Sequence, residues 1–294
     1  MSSQDKSLSH LDIVITRPKV QGEKWQQQLE ALGAHTTLVP MLEIRPIKDR
    51  RSSVGSHKVN PLINSDSKIA ERLNKLKSVI LRLDEFKKVI FVSQNAVSEA
   101  SLWIDDYWPQ HPVGIQYFAV GSATAKLARE LGFQITSPDE AMNSEDLLAL
   151  NDFNNVKDQK ILIFRGVGGR TLLSEELTIR GASVTYGELY TRELPQKALT
   201  QLRALKLGNT HRKTVLSAHS GESVVNLNKV IDQLTKENLD ATNKSSVNAK
   251  ALPLLIPGER VAKIAKELGF QELIVAKNAT DNEMKEALSD WQSR

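Results

Sequence analysis

Residues 160–192, KILIFRGVGGRTLLSEELTIRGASVTYGELYTR, hold a complete strand–turn–helix–strand unit. Ile161-Leu162-Ile163-Phe164 is a short, continuous apolar run, the pattern of a parallel strand buried on both faces. A glycine-rich turn, Arg165-Gly166-Val167-Gly168-Gly169-Arg170, leads into a helix expected over 171–180 and closed by Gly181. A second strand starts at Ser183 and runs on through Gly187-Glu188-Leu189-Tyr190-Thr191-Arg192 toward Pro195. It is too long for a small sheet, so its end is expected to leave the domain. A strand, a crossover helix and a second strand make the class α/β.

The turn resembles phosphate-binding loops without matching one. The pattern G-x-G-x-x-G would begin at Gly166 and require glycine where Thr171 stands, and no G-K-[ST] follows. What remains is a set of backbone N–H groups at a helix N-terminus beside Arg165 and Arg170, which suits an anion. A tight turn with no ligand reads equally well from this loop. A nucleotide-dependent oxidoreductase is disfavoured by the broken glycine pattern.

With 294 residues the chain is long enough for two domains with their own cores. Its 40% hydrophobic and 25% charged content is ordinary for a soluble protein. No apolar run reaches the roughly eighteen residues a membrane span needs. Met1 to His10 is polar and carries neither a signal-peptide core nor an arginine-rich transit pattern, so a cytoplasmic protein is expected. The absence of cysteine excludes disulfides, thiol chemistry and cysteine–zinc sites. Six histidines are scattered without metal-ligand spacing, and no metal is expected. A net charge of +4 is small for this length. It is no nucleic-acid signature and fits an anionic small molecule.

Taken in order, the chain opens with a strand at Asp12-Ile13-Val14-Ile15 and turns at Thr16-Arg17-Pro18 into a helix with Trp25, Leu29 and Leu32 at helical spacing. Gly33 closes that helix, and His35 to Val39 reads as the next strand, leading on through Glu43-Ile44-Arg45-Pro46. Lys48 to Ser67 is polar and reads as a mobile loop. Ile69, Leu73, Leu76, Ile80 and Leu83 mark a helix before the strands at Val89 to Val92 and Gln116 to Val120. The turn Gly121-Ser122-Ala123-Thr124 opens a helix that ends at Gly132. A second polar stretch, Glu237 to Lys250, reads as a loop or linker. A final strand–helix unit begins near Leu254 and is followed by Glu272 to Ala276.

An internal repeat reorganises this reading. Ala125 to Gln134 recurs as Ala262 to Gln271 with eight of ten positions identical, and Gly121 aligns with Gly258. Arg17 aligns with Arg165, Leu29 with Leu177, and Gly33-Ala34 with Gly181-Ala182; more weakly, Ser93 aligns with Ser220 and Val97 with Val224. Two similar α/β domains follow, and a cleft between such domains is where ligands usually bind.

The chemistry-bearing candidates are few. His219 beside Ser220 invites a nucleophile–base reading, but neighbours on a strand point to opposite faces, and Ala218 and Glu222 occupy the glycine positions of a G-x-S-x-G elbow. Thr124 falls in the first turn of a helix, where capping is the common use of a threonine. Its counterpart in the repeat is Val261, which cannot cap, so capping alone does not account for the hydroxyl. Tyr190 stands on the long strand expected to cross between domains. A half-buried, hydrogen-bonded tyrosine is the ordinary alternative there.

These residues resemble the uroporphyrinogen-III synthase family. The matching pieces are Thr16-Arg17-Pro18, Phe91-Val92-Ser93-Gln94-Asn95-Ala96-Val97, Ala119-Val120-Gly121-Ser122-Ala123-Thr124-Ala125 and Ser144-Glu145-Asp146-Leu147-Leu148. Ile163 to Arg170, Tyr190-Thr191-Arg192 and Pro257-Gly258-Glu259-Arg260-Val261-Ala262 continue the match over nearly the whole chain. The resemblance implies two flavodoxin-like, doubly wound domains joined by a two-stranded crossover linker. One would hold residues 11–42 plus 193–294, the other 46–189, with 43–45 and 190–192 as the crossover strands.

The implied reaction closes linear hydroxymethylbilane into uroporphyrinogen III with loss of water and inversion of the last pyrrole ring, in a monomer without metal or organic cofactor. The resemblance makes Tyr190 the residue assisting loss of the hydroxyl. Thr124, Ser93 and Ser220 would contact substrate, with Gly121 supplying backbone N–H groups and Arg17 and Arg165 positive charge. Two departures stand out: Gly258-Glu259-Arg260-Val261 lacks the threonine some members carry, and the polar insertion after Lys48 is long. The competing reading is a two-domain module that binds an anionic small molecule without turning it over.

Overall fold

The computed structural model describes residues 8–47, 67–136, 143–205, 207, 211–240 and 248–293. The expected loop from Lys48 lies outside these residues, apart from Ser67 at its end. In chain order, β1 (Leu11–Ile15), α1 (Lys19–Ala31), β2 (His35–Leu38) and β3 (Glu43–Pro46) come first. They are followed by α2 (Ser67–Leu81), β4 (Lys88–Phe91), α3 (Gln94–Tyr107), β5 (Gln116–Ala119) and α4 (Ser122–Glu130). Next come α5 (Ser144–Leu148), β6 (Lys160–Gly166), α6 (Leu172–Ile179) and β7 (Ser183–Glu193). The chain ends with α7 (Ala198–Ala204), β8 (Lys213–Ser217), α8 (Gly221–Asp240), β9 (Leu254–Pro257), α9 (Gly258–Glu267), β10 (Leu273–Ala276) and α10 (Asp281–Gln292).

The contacts divide the chain into two units, residues 1–43 with 193–294, and Ile44–Arg192. The first unit's sheet has the order β10-β9-β8-β1-β2, and every pairing is parallel. Counted along that unit's own chain this is 2-1-3-4-5 read from the other edge, the flavodoxin-like order. The second unit's sheet has the order β3-β7-β6-β4-β5, with parallel pairing among β4, β5, β6 and β7. Each unit is a doubly wound α/β domain.

The strand orders give the repeat a geometry. β9-β8-β1-β2 of the first unit matches β5-β4-β6-β7 of the second, strand for strand in the alignment of Gly258 with Gly121 and Arg17 with Arg165. The chain enters that shared four-strand pattern at β1 in one unit and at β4 in the other, so the units are circular permutations of one another. Only the fifth strand differs: β10 lies beyond β9, whereas β3 lies beyond β7. Where a counterpart of β10 would lie, the second unit has a parallel bridge from Tyr117 to Ile135. The aligned glycines Gly121 and Gly258 have φ of 88° and 68° where strand becomes helix, a conformation that disfavours any side chain.

Apolar residues on both faces of each sheet make two cores per unit. In the second unit Phe91, Leu162, Phe164 and Leu189 pack with Val97, Trp103 and Ile104 of α3 on one face. Ile90, Ile161 and Ile163 pack with Leu147 of α5 and Leu177 of α6 on the other. The Ser144 to Leu148 segment is an anchored helix: Asn143 and Asp146 form a capping box, and Leu147 and Leu148 are buried. In the first unit, Leu216 and Ile256 face α8 and α9, while Ile13, Val215 and Leu255 face Trp25 of α1 and Leu288 of α10.

One sequence expectation is corrected here. Glu237 to Asp240 are not loop but the last turn of α8, because Leu227, Val230, Ile231 and Leu234 continue the helical spacing along the core and Arg203 pairs with Glu237. Residues 241–247 of the expected linker lie outside the described residues.

Candidate functional site

In an open parallel sheet, ligands bind at the carboxyl ends of the strands where the chain reverses its direction of winding. In the second unit that point lies between β4, which leads toward β5, and β6, which leads toward β7. Ser93 is separated from the end of β4 by one residue and caps α3, its Oγ accepting from the Ala96 N–H at 3.1 Å. The same Oγ lies 2.9 Å from Tyr190 Oη. Tyr190 is buried in the core on the α3 side.

Its place there comes from an irregularity in β7. Val184 and Tyr186 pack on the α5–α6 face, so strict alternation would send Tyr190 the same way. The register with β6 shifts between Arg165, opposite Glu188, and Gly166, opposite Tyr190, which inserts a residue into β7. Such a bulge re-aims the side chains after it. Leu189 and Tyr190 therefore share one core.

The ring then rests against Gly166. A Cβ at that position would meet Tyr190 Cε2 at 2.5 Å and Cζ at 2.9 Å. The Val167 N–H donates to the Tyr190 carbonyl at 2.8 Å and fixes the backbone beside it. Gly166→Ala is expected to push the ring from Ser93 and to destabilise the fold by about 1 kcal/mol, the low end of overpacking costs. Urea denaturation of the variant checks this; an unchanged midpoint would mean that the ring yields without cost.

A cavity of about 360 Å³ opens at this end of the sheet, lined among others by Ser93, Arg165, Arg170, Tyr186, Tyr190 and Arg192. Arg165 is buried and largely occupied by the fold. Its Nε donates to the Gly166 carbonyl at 3.2 Å, Nη1 to the Arg170 carbonyl at 3.2 Å, and the guanidinium lies 4.5 Å from the centre of the Tyr186 ring. It holds the glycine turn in shape while placing positive charge at the cavity wall. Gly121 and Thr124 sit at the start of α4, next to the lining residue Val120; Thr124 is buried, and its N–H donates to the Gly121 carbonyl at 3.1 Å.

The corresponding point of the first unit lies between β1 and β8. Arg17 follows β1 and donates to Asp281 Oδ1 at 2.6 Å, while Gln28 donates to Oδ2 at 3.0 Å. Burial would raise the Asp281 carboxyl, but the hydrogen bond and charge of Arg17, helped by Gln28, hold it below the usual range. Ser220 caps α8 as Ser93 caps α3, its Oγ accepting from the Ser223 N–H at 3.1 Å. His219 and Ser220 are not on a strand, contrary to the sequence reading, because β8 ends at Ser217 and they form the turn into α8. They do not pair: neither ring nitrogen of His219 has a hydrogen-bond partner among the described residues, and the ring packs edge-on against Trp25. Burial, with the Arg17 charge beside it, drives the His219 imidazole down to about 3 against the opposing pull of Asp281.

The family model described as "Uroporphyrinogen-III synthase HemD" matches residues 23–286. The chain belongs to the uroporphyrinogen-III synthase family. It is 30% identical over 288 residues to the uroporphyrinogen-III synthase of Escherichia coli, covering 95% of this chain and 100% of that protein. It is 32% identical over 279 residues to that of Salmonella typhimurium, covering 95% and 100%. Solved structures of uroporphyrinogen III synthase from Thermus thermophilus (TM-score 0.54, 14% identity, 97% of this chain and 100% of that one) and Helicobacter pylori (0.51, 15%, 95% and 99%) share its fold.

Of the residues singled out from the sequence of this uroporphyrinogen-III synthase family member, Ser93, Arg165 and Tyr190 gather on one cavity. Gly121 and Thr124 stand at the neighbouring strand end. Arg17 and Ser220 belong to the first unit, at its own switch point. Sequence reasoning missed Tyr186 and the Asp281–Gln28 clamp on Arg17. Tyr186 precedes Tyr190 by four on one strand, a spacing that could have flagged it; Asp281 is 264 residues from Arg17 and left no local signal.

Proposed function

We propose that this chain is a uroporphyrinogen-III synthase, closing linear hydroxymethylbilane with loss of water and inversion of the last pyrrole ring. The observation that carries the chemistry is a tyrosine hydroxyl, Tyr190, in a cavity walled by Arg165, Arg170 and Arg192. The bilane is a polycarboxylate, so cationic walls favour it. Its terminal hydroxyl leaves well only if protonated as it departs, and a phenol keeps its proton near neutral pH where a carboxylate has lost it. Left in water, the bilane closes to the uninverted isomer, so the enzyme's work is to hold it where the spiro intermediate forms.

In this reading Tyr190 is the acid. Thr124, Ser93 and Ser220 contact the substrate, the N–H groups beside Gly121 donate to its carboxylates, and Arg17 and Arg165 supply field rather than free guanidinium forks, since both are engaged within the fold. In this reading the protein acts as a cytoplasmic monomer on this small molecule, with no nucleic-acid or membrane partner. Separately, no described helix is long and apolar enough to cross a membrane.

The test is to supply freshly made hydroxymethylbilane to the purified protein, with chelator and no added cofactor, and to resolve the product isomers. Type III isomer is expected in excess. Only type I isomer at the uncatalysed rate, with the bilane still bound, would make the protein a binding module instead.

A further inference from the structure

We propose that Ser93 is a positioning residue for Tyr190, supplying a hydrogen bond to the tyrosine oxygen as that oxygen gives up its proton. The inference rests on the reading of Tyr190 as the acid and adds a second hydroxyl with a role distinct from touching substrate. A serine hydroxyl carries one proton and two lone pairs. One lone pair of Ser93 Oγ is taken by the Ala96 N–H at 3.1 Å, which pins the oxygen to the N-terminus of the 14-residue α3.

Toward Tyr190 Oη, 2.9 Å away, Ser93 can accept or donate while the phenol holds its proton. Once that proton has moved, the phenolate can only accept, and the Ser93 O–H is the donor already at bonding distance. Turning the serine proton toward Tyr190 leaves the negative charge beside a helix N-terminus, where the dipole favours it.

In the step itself the Tyr190 proton passes to the terminal hydroxyl of the bilane. The carbon–oxygen bond breaks with its electron pair on oxygen, water leaves, and the carbon is left as an azafulvenium cation. The phenolate regains a proton when the closing pyrrole loses the hydrogen of its free α-carbon, so no oxidant or further reactant is required.

The first unit provides the contrast that separates this role from capping. Ser220 caps α8 with the same 3.1 Å bond, but its hydroxyl meets Ser223 Oγ at 2.9 Å rather than a tyrosine. A capping serine at this point of the fold therefore needs no phenol. The bulge in β7 and the bare Gly166 are what bring Tyr190 to Ser93.

Three substitutions at Ser93, made in the wild-type and Tyr190→Phe backgrounds, test the proposal. Ser93→Ala removes cap, donor and substrate contact together and is expected to lower kcat about three- to tenfold, the worth of one hydrogen bond, while any rise in KM reports the lost substrate contact. Ser93→Asp keeps the cap but can only accept, and is expected to slow turnover at least as much while preserving the melting temperature. Ser93→Thr keeps both functions and should restore kcat. In the Tyr190→Phe background Ser93→Ala should have no further effect on kcat.

Wild-type kcat in Ser93→Asp, or an equal loss from Ser93→Ala in both backgrounds, overturns the proposal while leaving Tyr190 as the acid. Full turnover by Tyr190→Phe alone removes the acid reading, and the role of Ser93 with it.

Discussion

Tyr190→Phe is expected to slow turnover by at least about tenfold, because a positioned acid contributes about 10²–10⁴-fold and the bilane's electron-rich pyrrole already helps expel hydroxide. The ring keeps its seat on Gly166 and its place in the core, and only the hydroxyl and its 2.9 Å bond to Ser93 are lost. KM and the melting temperature should therefore move little, with a stability cost of about 1 kcal/mol for the one hydrogen bond. Thr124→Ala should do less, since it removes a contact rather than the acid. Steady-state kinetics on both variants, with circular dichroism to confirm folding, check the ordering. Near-full turnover by Tyr190→Phe would leave positioning alone to carry catalysis.

Acid should destabilise the first unit through His219. Its imidazole falls from 6.5 to about 3 on folding, because a charged ring in that place loses solvent and faces Arg17. The unfolded chain therefore binds a proton that the folded chain refuses. The stabilisation is fully present above about pH 6.5 and is lost as pH falls toward 3. At about pH 5 the loss relative to neutral pH comes to about 2 kcal/mol, from about 1.4 kcal/mol per unit over one and a half units. Asp281 acts lower: its carboxyl is held below 3.8, so its contribution is present above that value and disappears only beneath it. Urea titrations between pH 8 and 4 should show the slope, and His219→Leu should flatten it above pH 4. A wild-type curve that is level from pH 8 to 5 would mean that the histidine takes up its proton in place.

The central strands were legible because each is a short apolar run buried on two faces, as at Ile161 to Phe164. The helices between them carry core-facing residues at helical spacing and end at glycines such as Gly33 and Gly181, whose positive φ makes the residue type a direct record of backbone geometry. The repeat of Ala125 to Gln134 at Ala262 to Gln271 preserves the packing of one helix against one sheet, and so revealed two similar units before any strand order was known. Periodicity failed where polarity misled it: the end of α8 is polar on its exposed side, and Glu237 to Asp240 read as loop.

Arg17, Ser93 and Ser220 became candidates through the resemblance to the family. By itself the sequence determined the α/β class, the repeated unit, and the placement of Thr124, Arg165 and Tyr190 on their turns and strand. These follow from local rules, in which a residue's neighbours a few positions away decide its conformation. The tertiary structure alone decided that the two units are circular permutations with fifth strands at opposite edges, since strand order is a property of long-range pairing. It alone turned Tyr190 to Ser93, by a bulge in β7 that breaks the alternation from which a reader would place the ring on the other face. It also closed Arg17 onto Asp281 across 264 residues and set the His219 ring against Trp25 beside that pair, where burial holds its imidazole down. Burial and charge pairing set those properties, and both depend on which distant segments pack together.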